Sequence, residues 1–152
     1  MATRSASAAS VATFHQFICD ECEKLIEKVE DGWLEWLNPP DKPVYGFRIV
    51  HVAGASPRFH QGGNCYYSES SEVSDNHLYY FAGADGLALL LSFFEMNLAD
   101  PKELAEIARR IHVPHYEEAR QYTKKALDDG IISSRDYSQE DLKRVIEEYG
   151  TE

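Results

Sequence analysis

Apolar side chains recur every three or four residues between Thr13 and Trp36, and this is the period of one face of an α-helix. Thr13 and Gln16 have the spacing of a capping box at the start of such a helix. Its outer face would be mostly acidic. The sequence therefore predicts a long amphipathic N-terminal helix. The apolar stripe consists of Phe14, Ile18, Cys22, Leu25, Val29, Trp33 and Trp36.

Three strands are predicted after this helix. Prolines within residues 39–43 end helical structure, because proline lacks the amide donor and forces the preceding residue to be extended. Residues 44–53 are β-branched or apolar on both faces, which is typical of a central strand. Residues 64–68 and 77–82 indicate two shorter strands. Their connector, residues 68–76, is polar and acidic, so we expect an antiparallel hairpin with an exposed, negatively charged tip.

The remaining chain predicts helices. Residues 86–97 are apolar nearly all round, as in a helix buried in a core. Asp100, Pro101 and Glu103 form a strong start signal for a second helix, which Pro114 ends. Two further helices are expected, one ending at Gly130 and one following Ser138.

The predicted fold class is α+β. A small three-stranded antiparallel sheet would be packed by the long N-terminal helix and the core helix, and three C-terminal helices would follow. Residues 1–12 are small and rich in Ser and Ala, and are interpreted as a disordered tail. Residues 13–152 have the length of a single domain. An exposed Trp33 or Trp36 would indicate a homodimer.

Composition points to a cytoplasmic protein. No apolar run reaches the roughly 18 residues that span a bilayer, and the first residues lack the apolar centre of a secretory signal. The chain has three cysteines, an odd number that does not suit a disulfide framework and fits a reducing compartment. We therefore predict a cytoplasmic location without membrane association.

Charge is the bulk property that says most about partners. The net charge is −11, and no Lys or Arg lies between Arg58 and Lys102. Such a surface repels phosphates and attracts basic proteins. The sequence therefore predicts a basic protein partner and disfavours nucleic acid. The expected contacts are the acidic residues of the predicted tip together with two aromatic anchors. These partner-binding residues are Glu69, Glu72, Asp75, Tyr67 and Tyr80.

The favoured hypothesis is an acidic inhibitor or adaptor that occludes a basic site on another protein. It would act in the manner of toxin-immunity proteins or phage-encoded inhibitors of nucleic-acid enzymes. Carboxylates would then stand where a phosphate backbone otherwise sits.

A second hypothesis is DNA binding. Residues 107–132 resemble the helix-turn-helix core of winged-helix regulators, in which the second helix enters the major groove. The resemblance implies Arg120, Lys124 and Lys125 as DNA-binding residues. Two features depart from it: acidic residues accompany these cations, and residues 133–150 predict a turn and a helix instead of a β-hairpin wing. A packed helix pair is the alternative.

A third hypothesis is zinc binding. Cys19 and Cys22 with His112 and His115 form a set of two cysteines and two histidines, which can hold zinc tetrahedrally. Structural zinc sites usually place such pairs on turns, whereas both cysteines lie within the predicted helix. Buried thiols are the alternative interpretation.

An enzyme is the fourth hypothesis. Histidines and a cysteine near the predicted strands offer a nucleophile and a base, but no catalytic motif surrounds them, and the sequence predicts no cofactor. The order Arg48, His51 and residues 67–69 resembles that of ADP-ribosyltransferases, although the family's later catalytic glutamate has no match. Binding is therefore favoured over catalysis. The residues concerned are His51, His60, Cys65, His77 and Tyr67.

Overall fold

The computed structural model describes residues 16–67 and 72–150, which pack as two compact units. Among the described residues, one unit is 16–67 with 72–112, and the other is 113–150. The predicted tail, residues 1–12, lies outside the described residues. That residues 13–152 form a single domain stays a prediction.

A three-stranded antiparallel sheet forms the centre of the first unit. Strand β3 (Gly32–Leu37) lies between β4 (Tyr45–His51) and β5 (Val73–His77). Glu35 in β3 faces Arg48 in β4 and Asp75 in β5 across the ladders. The α+β class and the three-stranded antiparallel sheet are thus confirmed.

The prediction of a long N-terminal helix is wrong over the described part of that segment. Residues 16–37 instead contain a two-stranded hairpin, β1 (Phe17–Ile18) with β2 (Leu25–Ile26), then a 3₁₀ turn at Val29–Asp31 and strand β3. Residues 33–37 are apolar or aromatic at almost every position, so they satisfy a strand period as well as a helical one. Pairing with β4 and β5 decides between the two.

The other strand predictions are partly wrong. The segment 44–53 does form a strand, but β4 lies beside β3 at the end of the strand order, and Val44 bridges Leu98. The hairpin expected between 64–68 and 77–82 does not form in the described residues. Instead β5 pairs with β3, and Leu78–Phe81 forms a 3₁₀ helix. This helix buries its first and last residues, because residues three apart lie on the same face of a 3₁₀ helix.

Two helices complete the first unit, α1 (Gly83–Phe93) and α2 (Pro101–His112). The expectation that the first is buried on all sides is wrong, because it exposes Leu87 and Leu91. Gly86 allows α1 to approach the preceding turn, since a Cβ there would lie 2.1 Å from the Phe81 carbonyl carbon. The main core of this unit includes Leu34, Trp36, Ile49, Leu90 and Leu104.

The second unit is helical. Helix α3 (Tyr116–Ala119), a 3₁₀ turn (Arg120–Tyr122) and α4 (Thr123–Asp128) follow one another directly, and α5 (Gln139–Tyr149) comes last. The side chain of Ser138 accepts a hydrogen bond from the Asp141 amide at 3.2 Å, as an N-cap does. These C-terminal helices are confirmed. In the described residues of both units, no helix is long and apolar enough to cross a bilayer.

Candidate metal centre

Four potential metal ligands converge at one end of the sheet. Cys19 and Cys22 lie in the turn between β1 and β2, His51 is the last residue of β4, and Cys65 lies in the loop that precedes β5. Their three Sγ atoms and the His51 Nδ1 all lie within 4.8 Å of one another. Soft thiolates with one imidazole are a donor set that zinc prefers.

Two sulfur–nitrogen distances in the cluster match those of a tetrahedral zinc site. The Cys22 Sγ lies 3.5 Å from the His51 Nδ1, and the Cys65 Sγ lies 3.8 Å from the same nitrogen. With a Zn–S bond of about 2.3 Å and a Zn–N bond of about 2.0–2.1 Å, tetrahedral geometry separates sulfur from nitrogen by about 3.6 Å. The remaining pairs of ligand atoms lie within 4.8 Å.

The turn that carries two of the ligands is short and tightly hydrogen-bonded. The Cys19 amide donates to the Lys24 carbonyl at 2.9 Å, and the Glu23 amide donates to the Cys19 carbonyl at 3.0 Å. Glu23 adopts a left-handed conformation, with φ of 62°. This turn points both thiols toward His51.

A hydrogen bond fixes which nitrogen of His51 is free to bind metal. The Nε2 atom lies 3.0 Å from the Leu25 carbonyl oxygen. A carbonyl oxygen only accepts, so Nε2 must carry the proton. In the neutral ring, Nδ1 then presents a lone pair to Cys22 and Cys65. Metal-binding histidines are commonly oriented in this way.

A serine holds Cys65 in the same manner. The Ser56 Oγ accepts from the Arg58 amide at 3.1 Å and lies 3.0 Å from the Cys65 Sγ. Either atom can be the donor while Cys65 is a thiol, whereas a Cys65 thiolate could only accept from the hydroxyl. Such a donor stabilises a thiolate, which is the form that binds metal.

Burial favours the protonated thiol form of Cys22 and Cys65 by raising the pKa of each. Burial raises the pKa of the Cys22 thiol to about 12, and contact with Cys19 adds to this effect. Burial also raises the pKa of Cys65, against the opposing hydrogen bond from Ser56. A divalent ion would reverse this preference, because its own charge stabilises the thiolates.

Two arginines hold the residues between the turn cysteines. The Arg110 Nη1 donates to both carboxylate oxygens of Asp20, at 2.9 and 2.7 Å. The Arg48 Nη1 donates to Glu21 at 3.4 Å, and its Nε donates to the fully buried Glu35. Burial raises the pKa of Glu35, although its bond from Arg48 opposes the shift.

The zinc set predicted from the sequence is half present in this cluster. Cys19 and Cys22 take part, but the ligand atoms beside them belong to His51 and Cys65. The Nε2 of His112 hydrogen-bonds to the Phe81 carbonyl at 2.6 Å, and His115 belongs to the unit of residues 113–152.

The predicted partner-binding residues do not form a hairpin tip. Asp75 lies exposed in β5, Glu72 directly precedes that strand, and Glu69 lies outside the described residues. Tyr67 packs its ring on the Arg48 guanidinium at 3.7 Å and donates to the Gly46 carbonyl at 3.1 Å. Tyr80 is 52% exposed. Their role in partner binding stays a prediction.

The residues of the enzyme and DNA-binding hypotheses have other surroundings. His51 and Cys65 belong to the metal cluster, whereas His60 is exposed and His77 stacks on Tyr79. On the C-terminal helices each candidate cation meets an acid. The pairs are Arg120 with Glu117, Lys124 with Asp128, and Lys125 with Asp129.

The comparisons with known proteins give no match. No family model, no curated protein and no solved structure is significantly similar to the chain.

Proposed function

We propose that the protein binds one zinc ion in a structural Cys₃His site formed by Cys19, Cys22, His51 and Cys65. The observation that carries the proposal is the convergence of these four ligand atoms within 4.8 Å. Two of the ligands also have partners that suit metal binding. His51 is oriented by its hydrogen bond to the Leu25 carbonyl, and the hydroxyl of Ser56 lies beside the sulfur of Cys65.

The donor set favours a structural role over a catalytic one. Four protein ligands fill a tetrahedral zinc site, whereas catalytic zinc keeps one position open for water or substrate. The proposed ion would join three separate segments: the β1–β2 turn, the end of β4 and the loop before β5. Its function is thus to stabilise this end of the sheet.

Metal analysis of the full chain tests this proposal. We expect one zinc ion per chain, and cobalt substitution should give the visible absorption of a tetrahedral, thiolate-bound ion. His51→Asn should abolish tight binding, whereas His60→Asn, which changes an exposed histidine, should retain it. A metal-free protein that binds neither ion would refute the proposal, as would equal binding by both variants.

The activity proposed for the zinc-stabilised protein is binding to a basic protein, as an inhibitor of a nucleic-acid-handling enzyme. It is supported by the net charge of −11 and by exposed Asp75 and Tyr80. The pairing of Lys124 and Lys125 with aspartates favours this partner over DNA.

Capture experiments test this second part. Wild-type chain should retain a basic protein from its host, and Asp75→Asn with Tyr80→Ala should weaken retention relative to Glu27→Gln. Retention of duplex DNA, lost in Lys124→Glu, would instead support the regulator hypothesis.

A further inference from the structure

The two residues between the turn cysteines are both acidic, and each is held by an arginine from another element. Asp20 accepts two hydrogen bonds from Arg110 of α2, and Glu21 accepts one from Arg48 of β4. Neither carboxylate belongs to the proposed ligand set. Their positions within the turn nevertheless couple them directly to the two ligands on either side.

The Asp20 contact locks the turn against two elements at once. Arg110 is 2% exposed, and its Nη2 also donates to the Ile18 carbonyl at 2.8 Å. Asp20 accepts a further hydrogen bond from the Ile49 amide at 2.7 Å. Ile49 lies two residues before His51, so this carboxylate joins the turn to the strand that carries the proposed imidazole ligand.

Arg48 connects the same turn to the third cysteine. The Nη2 of Arg48 donates to the Cys65 carbonyl at 3.1 Å, while its Nε donates to the buried Glu35. The ring of Tyr67 covers the guanidinium. One arginine therefore spans the turn, the sheet and the loop that carries Cys65.

We propose that Arg110 and Arg48 are positioning residues of the metal site, acting through Asp20 and Glu21. This inference rests on the proposed zinc function. Planar guanidinium groups suit the role because they donate several hydrogen bonds in fixed directions. Arg110 carries the larger effect, since its bonds to Asp20 are shorter and more buried than the bond from Arg48 to Glu21.

Cobalt titration in competition with a chelator measures the effect. We expect Arg110→Met and Asp20→Asn each to weaken Co²⁺ binding by up to about tenfold, the lower end of the effect of removing a direct partner of a metal ligand, because both act through the turn. Arg110→Lys keeps the charge and should recover part of the affinity. The spectrum should keep its shape because the four ligands remain. Glu27→Gln, an exposed acid-to-amide change, serves as the control.

A double-mutant cycle separates coupling from general damage. Asp20→Asn with Arg110→Met should weaken Co²⁺ binding no more than the stronger single change, because both remove one interaction. A purely structural role would lower the unfolding temperature of the metal-free protein and leave the Co²⁺ affinity of the folded protein unchanged. If Arg110→Met does not fold, Asp20→Asn carries the test, since it preserves side-chain size and an acceptor for Ile49.

The outcomes separate the two proposals. Failure of the wild-type chain to bind Co²⁺ would overturn the zinc proposal itself. Wild-type binding together with wild-type affinity in Asp20→Asn would overturn only the positioning role.

Discussion

His51 donates its Nε2 proton to the Leu25 carbonyl oxygen over 3.0 Å, and its Nδ1 faces Cys22 and Cys65. Leu25 follows the turn that carries two cysteines, and the bond therefore connects β2 with the end of β4. The backbone selects the tautomer that a metal ligand requires.

Ser56→Ala should weaken zinc binding by about tenfold or more, because it removes the hydroxyl beside the Cys65 sulfur. Ser92→Ala is the matched control, since that exposed hydroxyl donates only to the Leu89 carbonyl within its own helix. Chelator competition measures both affinities. Equal values for the two variants would show that the hydroxyl does not assist the thiolate.

Zinc affinity should rise with pH. The pKa of Cys22 is raised to about 12 and that of Cys65 is also raised, chiefly by burial, so binding at neutral pH must expel both protons. Each expelled proton makes the affinity about tenfold greater per pH unit below the thiol pKa. Calorimetry in buffers with different ionisation enthalpies counts the protons. The Cys22→Ser variant should release one proton fewer when it binds zinc. An affinity independent of pH would contradict thiolate binding.

Removing the metal should destabilise the first unit. A ligand that binds only the folded state stabilises it by about 4 kcal/mol when its free concentration is 1,000 times the dissociation constant. Thermal unfolding should therefore occur at a lower temperature after chelation, and re-addition of zinc should restore it. His51→Asn should unfold at the same temperature with and without chelator. An unchanged wild-type transition would count against a structural ion.

Gly86→Ala should destabilise the first unit by about 3 kcal/mol. The new Cβ would meet the Phe81 carbonyl carbon at 2.1 Å, which forces α1 away from the preceding turn. This clash outweighs the gain of about 1 kcal/mol that alanine brings to a helix. Urea unfolding measures the change. Gly54→Ala is the control, because nothing lies within 4 Å of its Cβ, and it should stay within about 0.5 kcal/mol of wild type.

Ser138→Ala should lower the free energy of opening of helix α5 by about 1 kcal/mol, because the Asp141 amide loses its hydrogen-bond acceptor at the N-cap. Hydrogen exchange of the amides in α5 reports this local effect. Ser133→Ala changes an exposed serine outside the helix and should leave these amides as protected as in wild type. Equal exchange in both variants would show that the cap does not contribute.

The sequence predicted the C-terminal helices well because their signals are local. The cap at Ser138 and the start signal at Asp100 act within one helical turn. The segment 33–37 could not be assigned in this way, since its side chains fit either period and distant strands decide the outcome. Long-range pairing also moved β5 away from the predicted hairpin.

The candidate metal site was only half predictable for the same reason. The short spacing of Cys19 and Cys22 is a local signal, and it singles out two residues of the cluster. The sequence offers His51 and Cys65 as candidates for catalysis, and nothing in their spacing joins them to the cysteine pair. The predicted N-terminal helix also hid the connection. On a helix, Cys19 and Cys22 would not lie together in a turn.

The hydrogen bonds from Arg110 to Asp20 have a consequence for the order of events during synthesis. Arg110 lies 90 residues after its carboxylate partner, whereas the last metal ligand, Cys65, lies 14 residues after His51. A growing chain therefore contains all four proposed ligands before it contains Arg110. Capture of the proposed ion would not require α2, whereas the contact between Asp20 and Arg110 does.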